Sequence, residues 1–159
     1  MIKKKKQLNI LFNKKAKFNF FIKKKFISGI VLYGWEVKSI RQGKIDISHS
    51  YVALRSNEIY LLNCEIQPLK TSTIIKNNFL IQKNRNIKLL LLRKEINFIA
   101  SQVNKYKYTI IPISLFWKKS FCKLEIGLAI GKNLYDKRQS KKNKFLKREL
   151  SKNFKRFQC

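Results

Sequence analysis

Acid is what this sequence has least of. Its 159 residues hold eight Asp and Glu against 37 Lys and Arg, a formal net charge of +29. Such a chain repels itself unless a polyanion offsets the charge, and the candidates are nucleic acid and anionic membrane. Glycine (five), proline (two) and histidine (one) are nearly as scarce. No glycine-rich phosphate cradle and no G-x-S-x-G is present. The one histidine, His49 in "DISHSY", has no second histidine and no carboxylate pair at ligand spacing, so it reads as a turn residue. Cys64, Cys122 and Cys159 are odd in number and far apart, which argues against a disulfide framework and a zinc site. Cys64 and Cys122 lie in apolar segments and read as small buried hydrophobes; reduced thiols fit the cytoplasm. No apolar run approaches the roughly 18–20 residues that span a bilayer. The "ILF" behind the basic start is too short for a signal peptide, so a cytoplasmic location is expected. These scarcities point to a binding protein that is not an enzyme and takes no metal or cofactor.

What is there supports a real core. The composition is 45% hydrophobic, far from that of a disordered chain. Part of the Lys, Asn, Ile and Phe excess fits biased coding-base composition, so most single lysines read as solvated surface. Residues 1–12 read as a loose basic terminus. "FFIKKKFISGIVLYG" predicts extended structure with a turn or bulge in its middle. "WEVKSIRQG" predicts a short helix that stops at Gly43, with Val37 and Ile40 on one face. "SYVALRSNEIYLLNCEI" predicts a hairpin turning at Ser56 and Asn57. Residues 68–86 read as a long loop. Leu89, Leu92, Ile96, Ile99 and Val103, at spacings of 3 and 4, predict an amphipathic helix. "YTIIPISLFW" and "FCKLEIGLAIG" predict two strands around "KKS", the first at an edge or bulged because of Pro112. The expected architecture is mainly β: a small antiparallel barrel, closed or partly open, with helices at its rim.

Basic residues alternate with aromatics twice. Lys14, Lys15 and Lys17 precede Phe18, Phe20 and Phe21; Phe116 and Trp117 precede Lys118, Lys119 and Lys123. Lysine neutralises phosphate and an aromatic face stacks on an exposed base. Core positions are the expectation for Phe20, Phe21, Phe26 and Phe121. Surface positions are expected for Trp35 and Trp117, which stand at element ends.

"GWEVKSIRQGK", "SYVALRSNEIYLLNCEI", "KLLLLRKEI", "SLFWKKSFCKLEIGLAIGK" and "YDKR" follow one another in the order and spacing of the SsrA-binding protein family, small protein B, which the chain resembles from about Asn13 onward. Trp35 and "FWKKSFCK" resemble proteobacterial members. The resemblance implies an oligonucleotide-binding-type antiparallel β-barrel with two or three flanking helices and a basic C-terminal tail. It implies a non-catalytic monomer that binds the tRNA-like domain of transfer-messenger RNA and delivers it to stalled ribosomes. Residues 13–132 would be the RNA-binding barrel domain. Residues 133–159 would be a tail, disordered when free and helical in the small subunit's messenger channel.

By the same resemblance the RNA-facing residues are Glu36, Val37, Lys38, Ser39, Arg41, Leu90, Lys123 and Lys132, beside the lysines 14, 15 and 17. The ribosome-facing ones are Tyr135, Asp136, Lys137, Arg138, Lys142, Lys144, Arg148, Lys152, Phe154 and Lys155. The tail carries ten Lys and Arg against two acids from Asp136 to Cys159. Its Leu146, Leu150, Phe154 and Phe157 would make one apolar stripe on a helix. The chain departs from the family pattern at Ile27, where a glutamate is usual, and at Asp46, His49 and Asn133. Glu36 has two roles open to it: helix capping with ion pairing, or RNA contact. A generic basic RNA-binding or ribosomal protein is the alternative reading. A peripheral membrane protein and a nuclease of the same barrel type are others, and the scarcity of acids counts against the nuclease.

Overall fold

The computed structural model describes residues 9–69 and 85–156. The elements in order are β1 (Asn9–Phe12), α1 (Lys14–Asn19), β2 (Phe20–Ile30), α2 (Gly34–Arg41), β3 (Ile45–Asp46), β4 (Tyr51–Arg55), β5 (Glu58–Leu62), β6 (Glu65–Ile66), β7 (Ile87–Leu90), α3 (Arg93–Tyr106), β8 (Thr109–Lys118), β9 (Phe121–Gly131) and α4 (Leu134–Arg156). The expected loop 68–86 falls largely outside the described residues.

Six strands close on themselves. The order β8-β4-β5-β7-β2-β9 returns to β8 through the β8–β9 hairpin, and every pairing is antiparallel. Closure removes the free edges of the sheet. β1 adds to the edge of β8 beside β4, and β3 pairs with β6 as a separate ribbon.

Local sequence explains the joints. Ser56 (φ 46°) and Asn57 (φ 63°) form the two-residue turn of β4–β5, a left-handed pair that suits hairpin twist. Gly43 (φ 72°) ends α2 as expected. β2 is one continuous strand whose bulge falls between Ile22 and Lys24. The break in β8 falls at Pro112, where the register shifts before Ser114. Gly127 is held by packing, since a Cβ there would lie 2.7 Å from Ile113 Cδ1.

The barrel interior is aliphatic. Ile59, Leu61, Ile87, Leu115, Leu124, Ile126 and Leu128 are buried inside it, with Ile40 of α2 and Ile99 of α3 packed on the same core. Each such side chain contributes about 1.5–3 kcal/mol by leaving water. Cys64 and Cys122 belong to this core, and burial pushes their thiols up to about 12 and about 11.

Four sequence expectations need correction. Residues 9–12, read as part of a loose terminus, are the strand β1. Leu89 is in β7 rather than on the helix, which begins at Arg93 after Leu92. The run "KLLLL" satisfies both periods, and pairing with β2 and β5 decides for strand. Phe21 (46% exposed) and Phe121 (69% exposed) are not core residues. Trp35 and Trp117, expected outside, are half-buried against the core.

Candidate nucleic-acid interface

The expected RNA-facing residues fall into two groups, at opposite ends of the β2–β9 ribbon. Gly29 pairs with Lys123 at one end and Phe20 with Gly131 at the other. The rise of β2 separates them by roughly 30 Å.

At the first end is a cleft of about 210 Å³ lined by Gly29, Val37, Leu90, Trp117, Phe121 and Lys123, among others. The register builds it. Leu90 and Lys123 flank Gly29 from its two neighbouring strands. A Cβ on Gly29 would lie 3.1 Å from Leu90 Cβ and 3.5 Å from Lys123 Nζ, so glycine lets Leu90 approach closely across it. Leu90 and Phe121 are exposed, and their apolar surface forms the walls. α2 supplies Val37, half-buried in the cleft; Lys38, the next residue of the same helix, is exposed. Arg41, from the last turn of α2, lies with its guanidinium carbon 5.6 Å from the centre of the Trp117 ring. The rim is cationic and the floor apolar and aromatic, a combination that holds phosphate and stacks bases.

Glu36 and Ser39 lie elsewhere. Both are buried, at 1% and 0% exposure. Glu36 Oε2 accepts from the Tyr33 amide at 2.7 Å, half of a capping box at the start of α2. Arg85 grips both its oxygens, Nε to Oε1 at 2.6 Å and Nη2 to Oε2 at 2.7 Å. Arg85 also donates to the Val31 carbonyl and stacks on the Tyr33 ring, 4.2 Å from its centre. The hydrogen bonds to Glu36 push the Arg85 pKa above its ordinary value. Of the two roles open to Glu36, the geometry shows capping and ion pairing. It orients α2, and α2 carries Val37, Lys38 and Arg41. Arg85 is the residue that sequence reasoning missed, because it stands 49 positions away.

The same logic covers most of the acids. Glu36, Asp46, Glu58, Glu95, Glu125 and Asp136 each accept a hydrogen bond from a backbone amide or a side chain within the protein. At least six of the eight acids thus serve the fold.

The second end is built on α1. Asn13 caps it, accepting from the Ala16 amide at 3.0 Å, and donates to the Ile47 and Pro112 carbonyls at 3.1 and 3.3 Å. The exposed lysines 14, 15 and 17 project from this helix. Lys15 Nζ donates to His49 Nε2 at 3.0 Å. Lys132 bonds the Lys17 carbonyl at 3.2 Å and lies 4.7 Å from the centre of the exposed Phe21 ring. Beyond it runs α4, whose start is marked by Asp136 accepting from the Asn133 amide at 3.2 Å. Tyr135, Arg138, Lys142 and Arg148 are exposed on α4 and Lys137 is half-buried; Lys144, Lys152, Phe154 and Lys155 lie on the same helix. Lys141 sits 5.8 Å from the Phe18 ring centre, tying α4 to α1. Leu134, Phe145, Leu146 and Leu150 are exposed.

No helix among the described residues is long and apolar enough to cross a membrane. Among the same residues no cluster of His, Cys, Asp and Glu could hold a metal ion.

Comparison with known proteins places this geometry. Residues 10–156 match the SmpB protein family. The chain is 52% identical over 134 residues to the SsrA-binding protein of Buchnera aphidicola subsp. Acyrthosiphon pisum (strain Tuc7), covering 84% of this chain and 81% of that one. It is 48% identical over 145 residues to the SsrA-binding protein of Vesicomyosocius okutanii subsp. Calyptogena okutanii, covering 89% and 88%. Its fold is similar to a solved structure presented as "tmRNA-SmpB: a journey to the center of the bacterial ribosome", with TM-score 0.62, 30% identity, and 78% and 85% of the two chains covered. With a family match over nearly its whole described length and relatives near half identity, the chain belongs to the SmpB protein family.

Proposed function

We propose that the chain binds the tRNA-like domain of transfer-messenger RNA and delivers it to stalled ribosomes for trans-translation. The observation that carries this is the cleft at the Gly29 end, where Val37, Leu90 and Lys123 from three separate segments meet on one cationic, apolar-floored surface. Lys38 and Lys123 neutralise phosphates, Leu90 and Phe121 hold bases or riboses by apolar contact, and the Arg41–Trp117 pair closes the rim. The chain acts by binding and positioning, in the cytoplasm, as a monomer, without catalysis.

The second end faces the ribosome. α4 carries ten Lys and Arg in 23 residues and leaves Leu134, Phe145, Leu146 and Leu150 exposed. A helix so charged gains little from its own composition. Lys141 over the Phe18 ring ties its first turns to α1. The remainder is stabilised by ribosomal RNA in the messenger channel and fluctuates off the ribosome.

The test is a binding titration against the isolated tRNA-like domain at several salt concentrations. Lys123→Ala and Lys38→Ala each weaken binding and flatten the salt dependence by about 0.7–0.9 log units per lost phosphate contact. Wild-type affinity and slope in both variants would remove this face from the RNA.

A further inference from the structure

The outer face of the barrel does not stop at Leu90. β7 pairs with β5 through Ile59↔Leu89 and Tyr60↔Lys88, so the next step of that register sets Glu58 beside Leu90. Glu58 in turn pairs with Arg55 on β4. One row therefore runs across the sheet, Lys123, Gly29, Leu90, Glu58, Arg55, and Arg55 lies about 10 Å beyond Leu90, two strand spacings away.

At the far end of that row is a second cleft, of about 320 Å³, lined by Arg55, Ser56, Tyr60 and Asn86. Its charge is arranged. Glu58 is taken up by Lys88, and the Tyr60 hydroxyl donates to it at 2.7 Å. Arg93 donates to the Asn57 carbonyl at 3.1 Å and fixes the hairpin tip. Arg55 is exposed, and among the described residues its guanidinium has no hydrogen bond or ion pair. With Glu58 offset by Lys88, the cleft keeps the positive charge of Arg55. A planar guanidinium matches phosphate oxygens two at a time. The Tyr60 ring offers a face, and the Asn86 amide offers both donor and acceptor.

We propose that this cleft is a second contact for the same RNA that occupies the Gly29 cleft, with Arg55 on a backbone phosphate and an unpaired nucleotide against Tyr60 and Asn86. The inference rests on the proposed RNA-binding role and extends its footprint across β7 and β5 onto the β4–β5 hairpin. Continuity of the face and its charge select RNA, since the row holds one offset acid between cations.

The experiment titrates the tRNA-like domain with full-length Arg55→Ala, Arg55→Lys and Lys123→Ala at several salt concentrations, with melting curves for each. Arg55→Ala is expected to lose about tenfold in affinity, as for a charge-assisted hydrogen bond. Its salt slope flattens by about 0.7–0.9. Arg55→Lys recovers the slope and part of the affinity. Wild-type affinity and slope in Arg55→Ala, with Lys123→Ala weakened, overturns the second cleft and leaves the proposed function standing. No effect in either variant overturns both. Loss of binding only to small ribosomal subunits, with the tRNA-like domain held normally, also overturns it.

Discussion

The two ends of the β2–β9 ribbon are both cationic and aromatic, yet they are organised differently. At the Gly29 end the side chains are fixed from behind. Glu36 and Arg85 lock α2, and three strands set Leu90 and Lys123 in register. At the Phe20 end the cations rest on exposed rings, Lys132 on Phe21 and Lys141 on Phe18, and the helix beyond leaves its leucines open. The first end is preorganised for a partner of fixed shape and pays little ordering entropy on binding. The second is suited to a partner that orders it, at lower affinity for its area.

Removing α4, the part of the second end beyond Lys132, is the largest perturbation. A chain ending after Lys132 is expected to bind the tRNA-like domain almost normally and to abolish peptide tagging on stalled ribosomes in a reconstituted system. RNA binding as weak as that of Lys123→Ala would show the ends to be one site. Glu36→Gln tests the lock next. It leaves Arg85 with an uncompensated charge at a site where Glu36 is buried, which costs about 3 kcal/mol. For a chain of this length that is a fall of roughly 6–12 °C in Tm. Affinity measured well below the transition should stay within about twofold, because Glu36 does not face the cleft. A variant that melts normally but loses RNA would return Glu36 to the interface. Asn13→Ala is the smaller counterpart at the other end. It removes the α1 cap and two buried bonds, for about 1–3 kcal/mol. Calorimetry reads that loss, and RNA affinity at the Gly29 cleft should not move.

Much of this was legible in the sequence because its causes are local. Ser56-Asn57 could only be a tight turn between two apolar runs, and Gly43 could only end a helix. The strands of "YTIIPISLFW" and "FCKLEIGLAIG" declared themselves by β-branched content. β1 and α1 did not, since four and six residues have no period to read and are held by β8 and by Asn13. The site was legible only in part. Leu90, Val37 and Lys123 were marked by family resemblance, and their meeting at Gly29 needed the register. The burial of Ser39 and Glu36 depends on a face of α2 that sequence shows as polar. Arg55, Tyr60 and Asn86 gave no sign, because the β4–β5 hairpin meets β7 only in the folded sheet.

That closure also sets a timetable. β2 finds its partner β9 only across about a hundred residues, as in Lys25 with Glu125. On a growing chain β2 is made early, and β9 is among the last strands made. Until then Phe20, Phe21, Ile22, Phe26 and Ile27 form an unpaired, sticky strand. Folds dominated by such distant pairings are slow. In the middle of that strand stand Lys23, Lys24 and Lys25, all exposed in the finished protein. Three adjacent charges keep waiting strands from adding to one another. Replacing Lys23 and Lys25 with threonine should leave melting nearly unchanged and raise light scattering during refolding. Equal scattering would leave those lysines as surface alone. Raised scattering would assign part of the positive charge in this chain to the hazards of its own synthesis rather than to any RNA.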